Sequence, residues 1–166
     1  MNEKTTTRNQ KVVRGAMLIA LAVVLQALRL VIPLPRMASA FLIGTLMHMM
    51  LTFSFWRNGK TTALFMAALL PVFAYLQGQI IIHVLVPVVL LGNVLFVNAV
   101  AKIRTLWLAP VLKTAFMAGS AYCVLQLFEI GPQLYKPLLF SMSVPQLVTG
   151  YAGIWLAKLL DKKIAK

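Results

Sequence analysis

The chain contains 166 residues, of which 61% are hydrophobic, and its mean hydropathy is +0.88. Soluble domains contain about 45–50% apolar residues, so the composition argues against a soluble domain and predicts an integral membrane protein. The formal net charge of +13 does not indicate a nucleic-acid partner, because the basic residues lie between apolar runs and no aromatic-basic recognition motif accompanies them.

The apolar runs divide the chain into six segments of about the length that a helix needs to cross a bilayer. The first lies within GAMLIALAVVLQALRLVIPLP, which is too long for a signal-peptide core and lacks small cleavage-site residues, so we expect it to remain in the mature protein. Turn-forming residues separate the segments. The predicted spans are residues 12–32, 38–56, 61–76, 80–103, 106–128 and 138–160. We therefore predict an all-α fold in which residues 1–166 form one six-helix transmembrane domain with short tails.

The distribution of Lys and Arg predicts the direction of these spans. If the N-terminus is cytoplasmic, thirteen of the sixteen basic residues fall on the cytoplasmic side, as the positive-inside rule requires. These thirteen are Lys4, Arg8, Lys11, Arg14, Arg57, Lys60, Lys102, Arg104, Lys113, Lys158, Lys162, Lys163 and Lys166. The outer side receives only Arg29, Arg36 and Lys136. Both termini are thus predicted to be cytoplasmic, in a multi-pass protein of the plasma membrane.

Polar side chains concentrate at the predicted outer ends of the helices. They are Tyr75, Gln77, Gln79, His83, Tyr122, Gln126, Glu129, Gln133 and Tyr135. The tyrosines are equally typical of an interfacial belt, and Arg29 can reach lipid headgroups or bind a ligand. Glu129 is expected to pair with Arg29, Arg36 or Lys136, to contact a substrate, or to do both.

Three further polar residues, His48, Asn93 and Gln146, are predicted to lie deeper in the bundle. Polar side chains at that depth usually face the protein interior and often mark a solute pathway, although a single histidine is more often satisfied by a neighbouring helix. The run Met47-His48-Met49-Met50 also permits haem or metal ligation. Because consecutive helical residues point in different directions, we predict neither a metal nor a cofactor.

The motifs of membrane-embedded catalysis are absent from the sequence. The three acids, Glu3, Glu129 and Asp161, are dispersed, and no HExxH motif, paired carboxylate or nucleophile elbow occurs. The string at residues 58–62, Asn-Gly-Lys-Thr-Thr, resembles the end of a P-loop, but the glycine required five positions before Gly59 is Ser54. We therefore predict that the chain is not an enzyme and that another subunit binds any ATP used in transport.

Two helices carry small residues at a spacing of four. Ala16 and Ala20 do so in the first span, and Thr149, Gly153 and Ala157 do so in the last. Such spacing creates a flat helix surface that another helix can approach closely. The approaching helix can belong to the same chain or to a partner.

The order and spacing of several strings resemble the substrate-binding S components of energy-coupling factor (ECF) transporters, over about residues 10–163. These strings are GAMLIALAVVLQALRLVIPLP with Ala16 and Ala20, the loop Gln77-Gly78-Gln79, PVVLLGN at residues 87–93, and QLVTGYAGIWLAKLLDK at residues 146–162. The resemblance implies a prokaryotic importer subunit that captures a micronutrient on the outer face. It also implies docking through Ala16 and Ala20 onto a transmembrane coupling subunit that carries two cytoplasmic ATPases.

In that family the substrate cavity lies toward the outer side, among helices four to six and under the outer loops. Carried over to this chain, the resemblance implies a substrate site formed by Arg36, Gln79, His83, Asn93, Tyr122, Gln126, Glu129 and Gln146. A mixed set of this kind suits a vitamin or cofactor precursor with an aromatic or amide group. No histidine follows Met1, which argues against the nickel and cobalt branch.

Two other functions remain open at this point. The chain could be a structural or assembly protein of the membrane without a small ligand, in which case the outer polar residues would only decorate loops. It could also be a self-sufficient channel or secondary carrier. Pro71, Pro87 and Pro145 interrupt spans, but the matching halves expected of an inverted repeat are not evident.

Overall fold

The computed structural model describes residues 3–32, 34–80, 82–102 and 106–164, and within them all side chains except those of residues 3–7 and 36. Every regular element in these ranges is an α-helix. The seven helices are α1 (Glu3–Val31), α2 (Arg36–Asn58), α3 (Lys60–Leu76), α4 (Leu85–Lys102), α5 (Leu108–Leu127), α6 (Pro132–Ser141) and α7 (Val144–Ile164). The all-α prediction is confirmed for the described part of the chain.

Four of these helices, α1, α2, α4 and α5, are long and apolar enough to cross a membrane. The helix α3 is apolar but has only 17 residues and contains Pro71, and it coincides with the short third span predicted from the sequence. The helix α4 starts five residues later than the predicted span, and the described residues 80 and 82–84 before it are not helical. By length and composition, the helices fit a membrane protein.

The sixth predicted span, residues 138–160, is not one helix, since α6 ends at Ser141 and α7 begins at Val144. Pro145 explains the break, because proline has no N–H and its ring clashes with the carbonyl four residues earlier. That carbonyl belongs to Ser141, and it instead accepts a hydrogen bond from Gln146 Nε2 at 3.4 Å. A polar side chain thus compensates for the interrupted helix.

Long-range contacts show which helix ends lie together. At one end, called here the Arg57 end, Arg57 at the end of α2 pairs with Asp161 of α7 at 2.7 Å, and Asn58 Nδ2 donates to the Lys11 carbonyl of α1 at 2.9 Å. At the other end, called here the Gln79 end, Gln79 Nε2 donates to the Gln26 carbonyl of α1 at 3.0 Å. The three helices α1, α2 and α3 therefore alternate in direction.

The helix α2 is central and packs most extensively against α7. Its residues Met49, Met50 and Leu51 belong to a buried core shared with α1, α3, α4 and α7. At Gly153 of α7 the two helices approach so closely that a Cβ atom would lie 2.5 Å from His48 Cβ and 2.8 Å from the Met49 nitrogen. This seam holds the middle of α2, and therefore His48, in a fixed position.

Two helices end with the same backbone motif but with different residues. At the end of α3, Gly78 has φ +67°, and the N–H groups of Gly78 and Gln79 bond to the carbonyls of Tyr75 and Ala74. This is a Schellman cap, in which the left-handed residue favours glycine. At the end of α5, Glu129 takes that position with φ +48°. Gly78 thereby turns the chain so that Gln79 faces α1.

Candidate solute-binding cavity

A cavity of about 200 Å³ opens among the helices, and every helix or its adjoining loop contributes to the lining. It extends from Arg29, Gln79 and Met142 near the Gln79 end to His48 at the middle of α2. Membrane proteins place solute sites between helices where irregular backbone is buried in protein. The α6–α7 break, with Ser141 and Met142 in the lining, is such a segment.

The deepest part of the cavity holds a chain of three buried polar side chains. Lys113 Nζ of α5 lies 2.8 Å from His48 Nε2 of α2 and 2.7 Å from Asn93 Oδ1 of α4. Lys113 is 3% exposed, His48 2% and Asn93 6%. The ring of Phe96 packs edge-on against His48, and its centroid lies 5.7 Å from Lys113 Nζ. Three helices are thus joined at one point by polar contacts.

The hydrogen bonds of His48 determine which of its ring nitrogens carries the proton. Nδ1 lies 2.7 Å from the carbonyl of Gly44, and a carbonyl can only accept, so Nδ1 must be the protonated nitrogen. In the neutral ring Nε2 is then an acceptor for Lys113. The Asn93 amide is oriented so that its Nδ2 donates to the Ala67 carbonyl at 3.5 Å, which leaves its Oδ1 as an acceptor for Lys113. The lysine therefore donates to two neutral acceptors.

Lys113, one of the basic residues predicted to face the cytoplasm, lies in the interior of the bundle rather than on an exposed flank. It lies six residues into α5 on the face that is buried. Ala109, Met117, Ala121 and Leu125 occupy the same face at intervals of four residues, and all are buried. A lysine in a helical stripe of apolar residues was the sequence signal for an interior role. Of the other twelve basic residues, Arg104 and Lys166 lie outside the described residues, as does the side chain of Lys4.

Two polar atoms of the lining have no hydrogen-bond partner in the described part of the chain. Gln26 of α1 donates through Nε2 to the Leu70 carbonyl at 3.1 Å, but its buried Oε1 is unpartnered. Ser39 Oγ of α2 is also buried without a partner. Buried polar groups are usually satisfied, so these two atoms are suited to contact a bound molecule. Neither residue was singled out in the sequence, although Gln26 is a polar residue within an apolar helix.

The structure places three of the residues expected at the substrate site in the cavity lining. Gln79, Asn93 and Gln146 come from the α3–α4 loop, α4 and α7, respectively. Arg29, for which the sequence permits either a lipid-headgroup contact or a ligand role, also lies in the lining. His48 faces the cavity together with Met47 and contacts the neighbouring helix α5, whereas Met49 and Met50 are buried in the core. The described residues contain no group of three or more His, Cys, Asp or Glu side chains that could hold a metal.

Four other expected residues are not part of the lining and are exposed. They are His83 in the loop before α4, and Tyr122, Gln126 and Glu129 on and after α5. On α5 these side chains occupy the face opposite Lys113. Gln126 Nε2 donates to the Tyr135 hydroxyl at 3.4 Å, and Tyr122 stacks edge-on against the same Tyr135. The side chain of Arg36, the remaining expected residue, lies outside the described residues.

The two small-residue stripes lie in opposite environments. Thr149, Gly153 and Ala157 of α7 are buried against α2 and its neighbours, whereas Ala16 and Ala20 of α1 are exposed. The helix α1 is also the least buried of the four long apolar helices. The stripe of α7 therefore serves internal packing, and that of α1 remains free for contact outside the described chain.

Comparison with protein-family models, with curated proteins and with solved structures gives no match to this chain.

Proposed function

We propose that this protein is the substrate-binding membrane subunit of an importer of the energy-coupling factor type, and that its cavity holds a small solute. The observation that carries the proposal is the polar interior of the bundle. Lys113, His48 and Asn93 meet at the floor of a cavity whose lining also contains two buried, unpartnered polar atoms. Interior polar groups are costly in a membrane protein and are a mark of solute sites.

The proposed orientation places the Gln79 end outside and both termini in the cytoplasm. Basic residues support it, because Lys60, Lys162 and Lys163 are exposed near the Arg57 end, where the positive-inside rule expects them. Removing Lys113 from the cytoplasmic count leaves twelve basic residues for that side and three for the other, so the preference persists. The cavity would then face the outside of a prokaryotic plasma membrane, which suits capture of a scarce micronutrient.

Transport by this chain would need partners that supply energy. The P-loop-like string at residues 58–62 spans the junction of α2 and α3, and Gly59 with φ +94° separates the two helices. Such a turn lacks the strand and glycine-rich loop that cradle phosphate. We therefore assign ATP binding to two cytoplasmic ATPases, coupled through a transmembrane subunit that docks on the exposed face of α1.

Native mass spectrometry of the gently purified protein tests the proposal, with two matched glutamine variants. Gln146 lines the cavity and Gln126 lies on the outer surface, so Gln146→Ala removes a cavity contact while Gln126→Ala does not. We expect a small bound mass that is released on denaturation, that is retained in Gln126→Ala and that is reduced in Gln146→Ala. The proposal fails if the protein carries no ligand and binds none from a vitamin and cofactor library.

One observation favours a second function, that of a self-sufficient secondary carrier. The break between α6 and α7 lines the cavity, and carriers build their sites from discontinuous helices. Proteoliposomes that contain this chain alone distinguish the two functions. A carrier accumulates solute in response to an ion gradient, whereas a binding subunit binds solute but transports none without ATP and its partners.

A further inference from the structure

We propose that the cavity selects a small organic anion, whose carboxylate or phosphate group contacts Lys113. The inference rests on the proposed function, since it names the class of solute that the binding subunit would take. Its basis is the charge of the lining. The cavity brings together the basic residues Lys113 and Arg29, and none of the described residues that line it is an aspartate or glutamate.

Lys113 has no acidic partner in the described part of the chain. Glu129 is exposed beyond the end of α5, and Asp161 pairs with Arg57 at the Arg57 end. A buried ammonium group without a counter-ion is costly, because its lost hydration is not replaced by an opposite charge. The neutral acceptors His48 and Asn93 compensate only in part. An anionic ligand would supply the missing charge.

The geometry also leaves Lys113 able to donate to a ligand. An ammonium group has three N–H donors, and the described contacts of Nζ use two of them, one toward His48 Nε2 and one toward Asn93 Oδ1. One donor remains, and the residue belongs to the cavity lining. Hydrogen bonds between ionised partners are the strong ones, so this donor is the natural anchor for an anionic oxygen.

The other residues of the cavity lining restrict the chemistry of the ligand beyond its anionic group. Gln26 Oε1 can only accept a hydrogen bond, and Ser39 Oγ can donate or accept. Leu70, Ile80 and Met142 provide apolar surface nearby. The cavity volume of about 200 Å³ is below the roughly 300–1,000 Å³ of sites for drug-sized ligands. The ligand class is therefore a small anion with an apolar body and a donor group, such as a hydroxyl or an amine, for Gln26.

Fractionation of a metabolite extract tests this inference without knowledge of the ligand. An extract of the source cells is separated on an anion-exchange resin into a bound, anionic pool and an unbound pool. Each pool is added to the detergent-solubilised protein, and thermal unfolding is measured. We expect the anionic pool to raise the melting temperature by about 5–10 °C at saturating concentration, and the unbound pool to leave it unchanged.

Stabilisation by the unbound pool alone would overturn the inference while leaving the proposed function intact. Stabilisation by neither pool, together with an empty native mass spectrum, would overturn the proposed function as well. Treatment of the active anionic pool with a phosphatase separates the two anion chemistries. Loss of the stabilisation identifies a phosphate monoester, and retained stabilisation excludes one and leaves a carboxylate to be identified by mass; both results support an anion.

Variants of Lys113 connect the effect to the cavity. Lys113→Met removes the charge at similar length, and we expect about 100-fold more of the anionic pool to be needed for half-maximal stabilisation. Lys136→Met is the matched control, because Lys136 is exposed on α6, and it should need the same amount as the unaltered protein. If Lys113→Met fails to fold, Lys113→Arg retains the charge and should keep the preference for the anionic pool. An unchanged response of a folded Lys113→Met protein would overturn the assignment.

Discussion

The small-residue stripes of α1 and α7 have the same spacing in the sequence and opposite positions in the structure. In α7, Thr149, Gly153 and Ala157 are buried, and α2 packs against this stripe. In α1, Ala16 and Ala20 are exposed, and the surrounding face carries the exposed apolar residues Val13, Met17 and Val24. A small residue permits close approach, but only the neighbouring helices determine whether the approach occurs within the chain.

The difference separates residues that hold the fold from residues available to a partner. The α7 stripe fixes the middle of α2, where His48 meets Lys113, so internal packing and the cavity floor depend on the same seam. The α1 face is exposed in the described part of the chain. Substitutions in the two helices test this division.

Gly153→Ala should destabilise the protein most. The added Cβ would lie 2.5 Å from His48 Cβ, 2.8 Å from the Met49 nitrogen and 2.9 Å from the Thr45 oxygen. Two of these atoms are backbone, so relief requires α2 and α7 to move apart. Overpacking of this kind costs about 1–3 kcal/mol and sometimes more. We expect a loss near 3 kcal/mol, seen as a melting temperature lower by about 6–12 °C.

Gly119→Ala provides the control for that measurement. Gly119 is also a helical glycine, in α5, but it is exposed and an added Cβ meets nothing within 4 Å. Alanine in a helix interior is favoured over glycine by about 0.5–1 kcal/mol, so this variant should be slightly more stable. Equal effects of Gly153→Ala and Gly119→Ala would mean that the α2–α7 seam is not tightly packed.

Gly15→Ala should have an intermediate effect, although Gly15 is adjacent to the exposed Ala16. Gly15 is buried, and its added Cβ would lie 2.8 Å from Asn58 Nδ2. That nitrogen bonds to the Lys11 carbonyl and to Thr62 Oγ1, so the methyl group would displace a link between α1, α2 and α3. Part of the loss is offset by helix propensity, and we expect a net cost of about 1 kcal/mol.

A double-mutant cycle with Asn58→Ala checks the cause of this loss. If Gly15→Ala acts by displacing the Asn58 side chain, it should cost little or nothing in the Asn58→Ala background. Contacting residues show coupling energies of about 0.5–3 kcal/mol. Additive costs in thermal unfolding would show that the two positions act independently and that the link is not what Gly15 protects.

The sequence predicts helices more securely than it predicts their partners. Apolar runs and turn residues locate the long helices of the described chain, because a helix satisfies its backbone hydrogen bonds within its own segment. Pro145 also signals the interruption of the last span, but the two separate helices depend on where the Ser141 carbonyl finds its partner. Gln146 supplies that partner, and no local pattern predicts it.

The candidate site was predicted only in part, for a physical reason that Lys113 illustrates. The place of Lys113 near the start of a helix predicts a cytoplasmic flank, whereas its place in an apolar stripe predicts an interior anchor. Its role is decided by His48 and Asn93, which lie 65 and 20 residues away in the chain. Conversely, Tyr122, Gln126 and Glu129 form a plausible polar group at helical spacing, yet Tyr122 and Gln126 lie on the exposed face of α5 and Glu129 lies beyond its end. Helical periodicity identifies a face but not what covers it.

Replacement of Ala16 and Ala20 by leucine should have the smallest effect on the fold and the clearest effect on assembly. Both side chains are exposed, so larger groups find space, and the stability should change by no more than about 0.5 kcal/mol. Solute binding by the isolated subunit should also persist, because neither residue lines the cavity. The proposed coupling subunit, however, could no longer approach α1 closely, and its co-purification with this chain should be lost.

Ala115→Leu, on the exposed face of α5, is the matched control and should leave co-purification intact. If the α1 variants also lose solute binding, the alanines support the internal fold, and the contrast between α1 and α7 does not hold. If co-purification survives in all variants, a partner binds elsewhere and the α1 face is a lipid-facing surface.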